Sequence, residues 1–72
     1  MQSLDRTFDI IEILSHEPDG IALAQISERL KLPKSTVHRI LGVLLQRQFV
    51  RKNEETSYYR LGPGLIELCS RY

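Results

Sequence analysis

The residues with the clearest chemical character stand close together. Lys34, Ser35, Thr36, His38 and Arg39 follow Pro33 within a few positions. Cations and hydroxyls in that pattern hold anions. A bidentate arginine is the commonest partner of guanine, worth about 1–3 kcal/mol of discrimination. A lysine is suited to a phosphate, as is a hydroxyl beside the free N–H groups of a helix start. Bond-making chemistry has less to work with. His16, His38 and Cys69 are far apart, and no carboxylate–histidine–nucleophile arrangement stands out. One cysteine excludes a disulfide within the chain, and no zinc-ligand spacing is present. We expect neither an enzyme nor a metal or cofactor site.

The charge is unevenly distributed. Residues 1–28 carry one basic and six acidic side chains. Residues 29–52 carry seven basic side chains (Arg29, Lys31, Lys34, Arg39, Arg47, Arg51 and Lys52) and no acid. Residues 53–72 carry two basic and three acidic ones, and the whole chain is +1. A basic block between acidic ends suggests an anionic partner, although solvated surface charge is the plain alternative.

Seventy-two residues make one domain with one small core. At 42% hydrophobic and 26% charged the chain is globular. No apolar run approaches the roughly 18 residues of a membrane span, so we expect no membrane association and a cytoplasmic setting.

The elements that must position the basic cluster follow from periodicity and breakers. Residues 4–16 read as a helix with Ser3 available to cap it. Leu4, Phe8, Ile11 and Leu14 share one face, which we expect to be the buried one. Ile10 and Ile13 lie on an adjoining face. They are either buried on a second side or form a self-association surface. Pro18-Asp19-Gly20 breaks the helix. Ile21-Ala22-Leu23 suits a short strand. A second helix over about 23–30 turns Leu23, Ile26 and Leu30 inward, with Ala22 a poor cap. Lys31-Leu32-Pro33 is the turn, and Pro33 opens a third helix over about 33–47.

In that third helix Val37, Ile40, Leu41 and Leu44 form the buried stripe. At about 100° per residue, Ser35, Arg39, Gly42 and Gln46 fall roughly opposite it, with Thr36, His38 and Val43 alongside. Residues 49–52 and 57–61 read as strands joined by the polar loop Asn53-Glu54-Glu55-Thr56. Gly62-Pro63-Gly64 ends the second strand. Pro63 opens a last helix with Leu65, Leu68 and Cys69 on its apolar face, Cys69 as a semi-buried packing residue. The chain stops at Tyr72 without a cap, as a piece of a longer protein would.

The fold class is therefore mainly α with a small β-hairpin, in the order α-(β)-α-α-β-β-α. Two short helices joined by a three-residue turn and followed by a hairpin make a winged helix-turn-helix. The major groove of B-DNA, about 12 Å wide, accepts one α-helix, and the N-terminal part of that helix reaches base edges. That part is Lys34, Ser35, Thr36, His38 and Arg39, and we expect all five to contact DNA. Gly42 costs about 1 kcal/mol against alanine in a helix interior, and its outward place suggests close approach of DNA. Arg51, Lys52 and Arg60 are able to straddle phosphates from the hairpin, and we single out Lys52 and Arg60. Glu54 and Glu55 at the tip oppose deep insertion into a minor groove. The alternative is a winged-helix protein-interaction module. Such a module shows large apolar anchors, which the Ser35–Arg39–Gly42–Gln46 strip lacks.

Three segments carry a family resemblance: Ser3-Leu4-Asp5-Arg6, the run Leu30-Lys31-Leu32-Pro33-Lys34-Ser35-Thr36-Val37-His38-Arg39-Ile40-Leu41, and Tyr59-Arg60-Leu61-Gly62-Pro63. They resemble the N-terminal DNA-binding domain of IclR-type bacterial transcription regulators. The resemblance implies a homodimer or tetramer on double-stranded, partly palindromic operator DNA. It implies pairing through the first helix, which suits Ile10 and Ile13. It also implies that residues 1–62 are the DNA-binding domain. Residues 63–72 would begin a linker helix to a C-terminal domain, absent from this chain, that binds a small-molecule effector. The chain departs from the family pattern at Lys31, Gln48 and Ser57, where glycine is common, and at Ala22, where a small hydroxyl is expected. Lysine at a left-handed position costs on the order of 1 kcal/mol.

Overall fold

The structure is a computed structural model and describes residues 2–71, with side chains from residue 4 onward. Its elements run α1 (Gln2–Ser15), β1 (Ile21–Ala22), α2 (Leu23–Leu30), α3 (Lys34–Gln46), β2 (Val50–Lys52), β3 (Tyr58–Leu61) and α4 (Pro63–Ser70). The three strands form an antiparallel sheet in the order β1-β3-β2. This is the expected winged helix-turn-helix order. α1 begins at Gln2, so Ser3 lies inside its first turn rather than before it. The Ser3 side chain and Tyr72 lie outside what the structure describes. No helix among the described residues is long and apolar enough to cross a membrane.

The core gathers one face of each element except α4, which buries no side chain in it. Ile10 and Leu14 come from α1, Ile21 from β1, Ile26 from α2, and Val37, Ile40, Leu41 and Leu44 from α3. Val50 and Tyr59 close it from the hairpin. Fully burying one such aliphatic side chain stabilises the fold by about 1.5–3 kcal/mol. The α3 stripe is the one its periodicity predicts.

The α1 stripe is not. Ile10 is 0% exposed, whereas Leu4 and Phe8 are 50% and 59% exposed. Ile10 is therefore a core residue and, contrary to expectation, has no surface to offer a second copy. Ile13 is half-buried and packs against the core. With Ile10 at 0° and about 100° per residue, Leu14 falls at about 40°, and Leu4 and Phe8 at about 120° and 160°. The apolar arc of α1 is wider than one contact can cover. Docking on β3 and α2 selects the Ile10–Leu14 side and leaves the Leu4–Phe8 side in solvent.

Both helices of the helix-turn-helix end in the same hydrogen-bonded turn. Leu32 N–H donates to Ser27 O at 3.1 Å and Lys31 N–H to Glu28 O at 3.4 Å. Phe49 N–H donates to Leu44 O and Gln48 N–H to Leu45 O, both at 3.0 Å. These are Schellman turns, which place one residue in the left-handed region. Lys31 (φ 55°) and Gln48 (φ 61°) occupy those places, and Ser57 (φ 62°) does so after the hairpin tip. All three family departures from glycine are thus left-handed L-residues. Ser27 Oγ also donates to Leu32 O, which secures the first turn. The start of α2 is repaired from within. Ala22 offers no side-chain acceptor, but its N–H donates to Gln25 Oε1 at 3.2 Å, half of a capping box.

Candidate nucleic-acid interface

α3 presents the site. Burial of Val37, Ile40, Leu41 and Leu44 turns the other side of the helix outward. Lys34, Ser35, His38, Arg39 and Gln46 are exposed, and Thr36 is half-exposed. A Cβ added at Gly42 would meet nothing within 4 Å, so the middle of this face is open. Val43 is also exposed, at 50%. Among the described residues the ion pairs are Arg6–Asp9 at 2.9 Å and Arg29–Glu17 at 3.3 Å. None of the basic side chains of α3 or the hairpin has a carboxylate partner among the described residues. Their charge remains available to an outside anion.

The entrance of α3 has the same character. Pro33 precedes the helix at φ −59° and gives no side-chain cap. Its carbonyl accepts from Thr36 N–H at 3.0 Å and Val37 N–H at 3.2 Å. The N–H groups of Lys34 and Ser35 have no acceptor among the described residues, as the first amides of a helix do not. Free amides, the positive end of the helix dipole and exposed Ser35 stand together at this entrance, a combination that favours negative charge.

The hairpin divides its cations between two faces. Arg51 pairs directly with Arg60 across the strands, and Lys52 with Tyr59. Tyr59 is buried, so Lys52 lies on the core side of the sheet, its ammonium 5.6 Å from the Tyr59 ring centroid. Arg51 and Arg60 stand together on the outer side, both exposed. The structure thus separates Lys52 from Arg60 and joins Arg60 to Arg51. That pairing depends on register, which the hairpin sequence alone does not state. A groove lined by Leu45, Gln48, Arg51, Lys52, Asn53, Glu54 and Arg60 connects the end of α3 to the hairpin. At the tip, Asn53 Oδ1 accepts from Glu55 N–H at 2.8 Å and Thr56 N–H at 3.2 Å. This turn holds exposed Glu54 and Glu55 outward.

Two sequence expectations end elsewhere. Cys69 is exposed, not semi-buried. Ile66 and Leu68 on α4 are 72% and 50% exposed, and its backbone ties to the rest of the fold come from its first turn.

A largely polar α3 face without ion-pair partners among the described residues, beside a two-arginine hairpin and on this helix order, defines a winged helix-turn-helix DNA-binding domain. The model of the IclR helix-turn-helix domain matches residues 3–54. The chain belongs to that family of transcription-regulator domains. It is 47% identical over 65 residues to the DNA-binding transcriptional repressor YiaJ of Escherichia coli K12, covering 90% of this chain and 23% of that protein. It is 32% identical over 72 residues to the transcriptional repressor IclR of the same organism, covering 100% of this chain and 26% of that one. Among solved structures, an IclR transcriptional regulator from Alicyclobacillus acidocaldarius superposes with a TM-score of 0.91 at 33% identity. That match covers 99% of this chain and 29% of the other. Pseudomonas aeruginosa HmgR gives a TM-score of 0.81 at 26% identity, over 94% of this chain and 29% of its own. The chain spans roughly a quarter of the length of the relatives it matches.

Proposed function

We propose that α3 enters the major groove of operator DNA and reads one half-site. The observation that carries this reading is the open, uncompensated α3 face. Arg39 is the base reader, and Lys34, Ser35, Thr36 and His38 anchor the helix entrance against phosphate and base edges. Gly42 permits close approach of DNA, and Lys52 and Arg60 supply charge beside the groove. One such module buries roughly 600–1,000 Å² on DNA, so a single copy binds weakly and with strong salt dependence.

Two copies read a partial palindrome with their recognition helices about 34 Å apart. The pairing surface is the Leu4–Phe8 side of α1; Ile13, at about 300° on the same scale, lies on the other side of the helix and is not part of it. Residues 1–62 form the DNA-binding domain and residues 63–72 begin a linker. The greater length of the relatives supports a further C-terminal domain that binds a small-molecule effector, in a cytoplasmic regulator that catalyses nothing.

Selection from a random duplex pool at two salt concentrations tests the reading. Recovery of a partial palindrome is expected, and its spacing gives the dimer geometry. Absence of binding at low salt sinks the proposal and returns the fold to an interaction module.

A further inference from the structure

We propose that Arg51 and Arg60 act as one unit, a two-arginine clamp on a single DNA backbone phosphate beside the groove that α3 enters. The clamp rests on the DNA-binding reading above and adds to it a specific ligand group.

The register carries the argument. Arg51 and Arg60 are direct partners across β2 and β3. Asn53 N–H donates to Tyr58 O at 2.9 Å and Gly62 N–H to Phe49 O at 2.8 Å, on either side of them. Ladder bonds alternate, so Arg51–Arg60 is itself a hydrogen-bonded pair, with Cα atoms about 5.5 Å apart. Their side chains rise from the same face at neighbouring points. Like charges directly opposite each other destabilise a sheet, and no carboxylate among the described residues pairs with either one. A phosphodiester cures the repulsion. It has two non-bridging oxygens and one negative charge, and each guanidinium is a planar fork of donors that fits such oxygens.

The surroundings place the phosphate. The groove shared with Leu45 and Gln48 sets the pair beside the end of α3. Lys52 lines the same groove but rises from the opposite face of the sheet, over Tyr59, so it adds charge beside the seat and is not one of the two paired forks. Glu54 lines the same groove toward the tip, and with Glu55 it repels phosphate there. The anion is therefore seated at mid-strand. Tyr58, on the Arg60 face and 40% exposed, flanks the seat.

The test uses a duplex bound by the wild-type chain, with backbone phosphates replaced one at a time by uncharged methylphosphonate. Binding is compared for wild type, Arg51→Gln, Arg60→Gln and the double variant. For wild type, one phosphate flanking the major-groove contacts should matter most beside the hairpin. Either single variant should lose nearly as much affinity as the double, and the double should be indifferent to neutralisation of that phosphate. The slope of log affinity against log salt should fall by about 0.9, so the loss between 50 and 200 mM salt becomes about 3.5-fold smaller. This fall should be alike on selected and random duplexes. Thermal midpoints of the free variants should equal or exceed wild type, because a repulsion has been removed, which separates lost contact from lost folding. Additive losses tracing to two different phosphates would overturn the clamp and leave two independent arginines. An unchanged salt slope would overturn it in favour of solvated surface charge. Failure of the wild-type chain to bind any duplex at low salt would remove the DNA reading, and the clamp with it.

Discussion

The backbone N–H of Gly64 donates to the carbonyl of Gln48 at 2.8 Å, tying the first turn of α4 to the turn that ends α3. Gly62 makes a parallel tie to Phe49 O at 2.8 Å. Backbone meets backbone so closely here that no side chain fits. A Cβ on Gly64 would sit 2.8 Å from the carbonyl oxygens of Arg47 and Gln48, and one on Gly62 2.6 Å from Gln48 O. The start of α4 is thereby held against the C-terminal end of α3.

Gly64→Ala should therefore destabilise the domain by about 2–3 kcal/mol, as steric conflict with fixed backbone does. Gly42→Ala is the contrasting case. Its Cβ enters open space, so helix propensity should stabilise it by up to about 1 kcal/mol. Urea unfolding distinguishes the two. If Gly42 faces a close DNA backbone, the stabler variant should also bind DNA less tightly.

Lys31, Gln48 and Ser57 hold left-handed backbone without being glycine. The strain of about 1–2 kcal/mol at such a residue exceeds the entropy cost of a glycine, about 0.5–1 kcal/mol. Each single change to glycine should raise stability by up to about 1 kcal/mol, or several degrees in Tm for a domain of this size. A loss of stability on Lys31→Gly would show that its side chain does more for the fold than its backbone costs.

Arg39→Ala should weaken binding to a selected duplex by about 1–3 kcal/mol and to random duplex by less. The pair of affinities is the measurement. Equal losses on both would make Arg39 a phosphate contact and transfer base reading to Ser35, Thr36 or His38.

Phe8→Asp should leave the monomer folded, because the side chain is already 59% exposed. It should abolish cooperative binding to a two-half-site duplex if α1 pairs through that face. Ile10→Ala should instead cost about 2–5 kcal/mol of stability, the range for emptying a core site. Unchanged cooperativity in Phe8→Asp, measured by titration at two protein concentrations, would move the pairing surface elsewhere.

The elements and the recognition face were legible in the sequence because both are local. Pro18-Asp19-Gly20, Pro33 and Gly62-Pro63-Gly64 punctuate the chain, and helical spacing sorts α3 into a buried Val37–Ile40–Leu41–Leu44 side and a polar side. Where a helix has one apolar stripe, its spacing names the buried face. α1 has apolar residues over more than half its circumference, so its spacing does not. Only docking on β3 and α2 decided that Ile10 is core and that Phe8 meets solvent. The hairpin shows the same division. Its strands could be read from β-branched and aromatic residues, but which cations share a face depends on register across the turn. That register joins Arg51 to Arg60 and sends Lys52 to the other side. Periodicity along a chain is written in the chain, whereas the pairing of two segments is chosen by the free energy of everything packed around them.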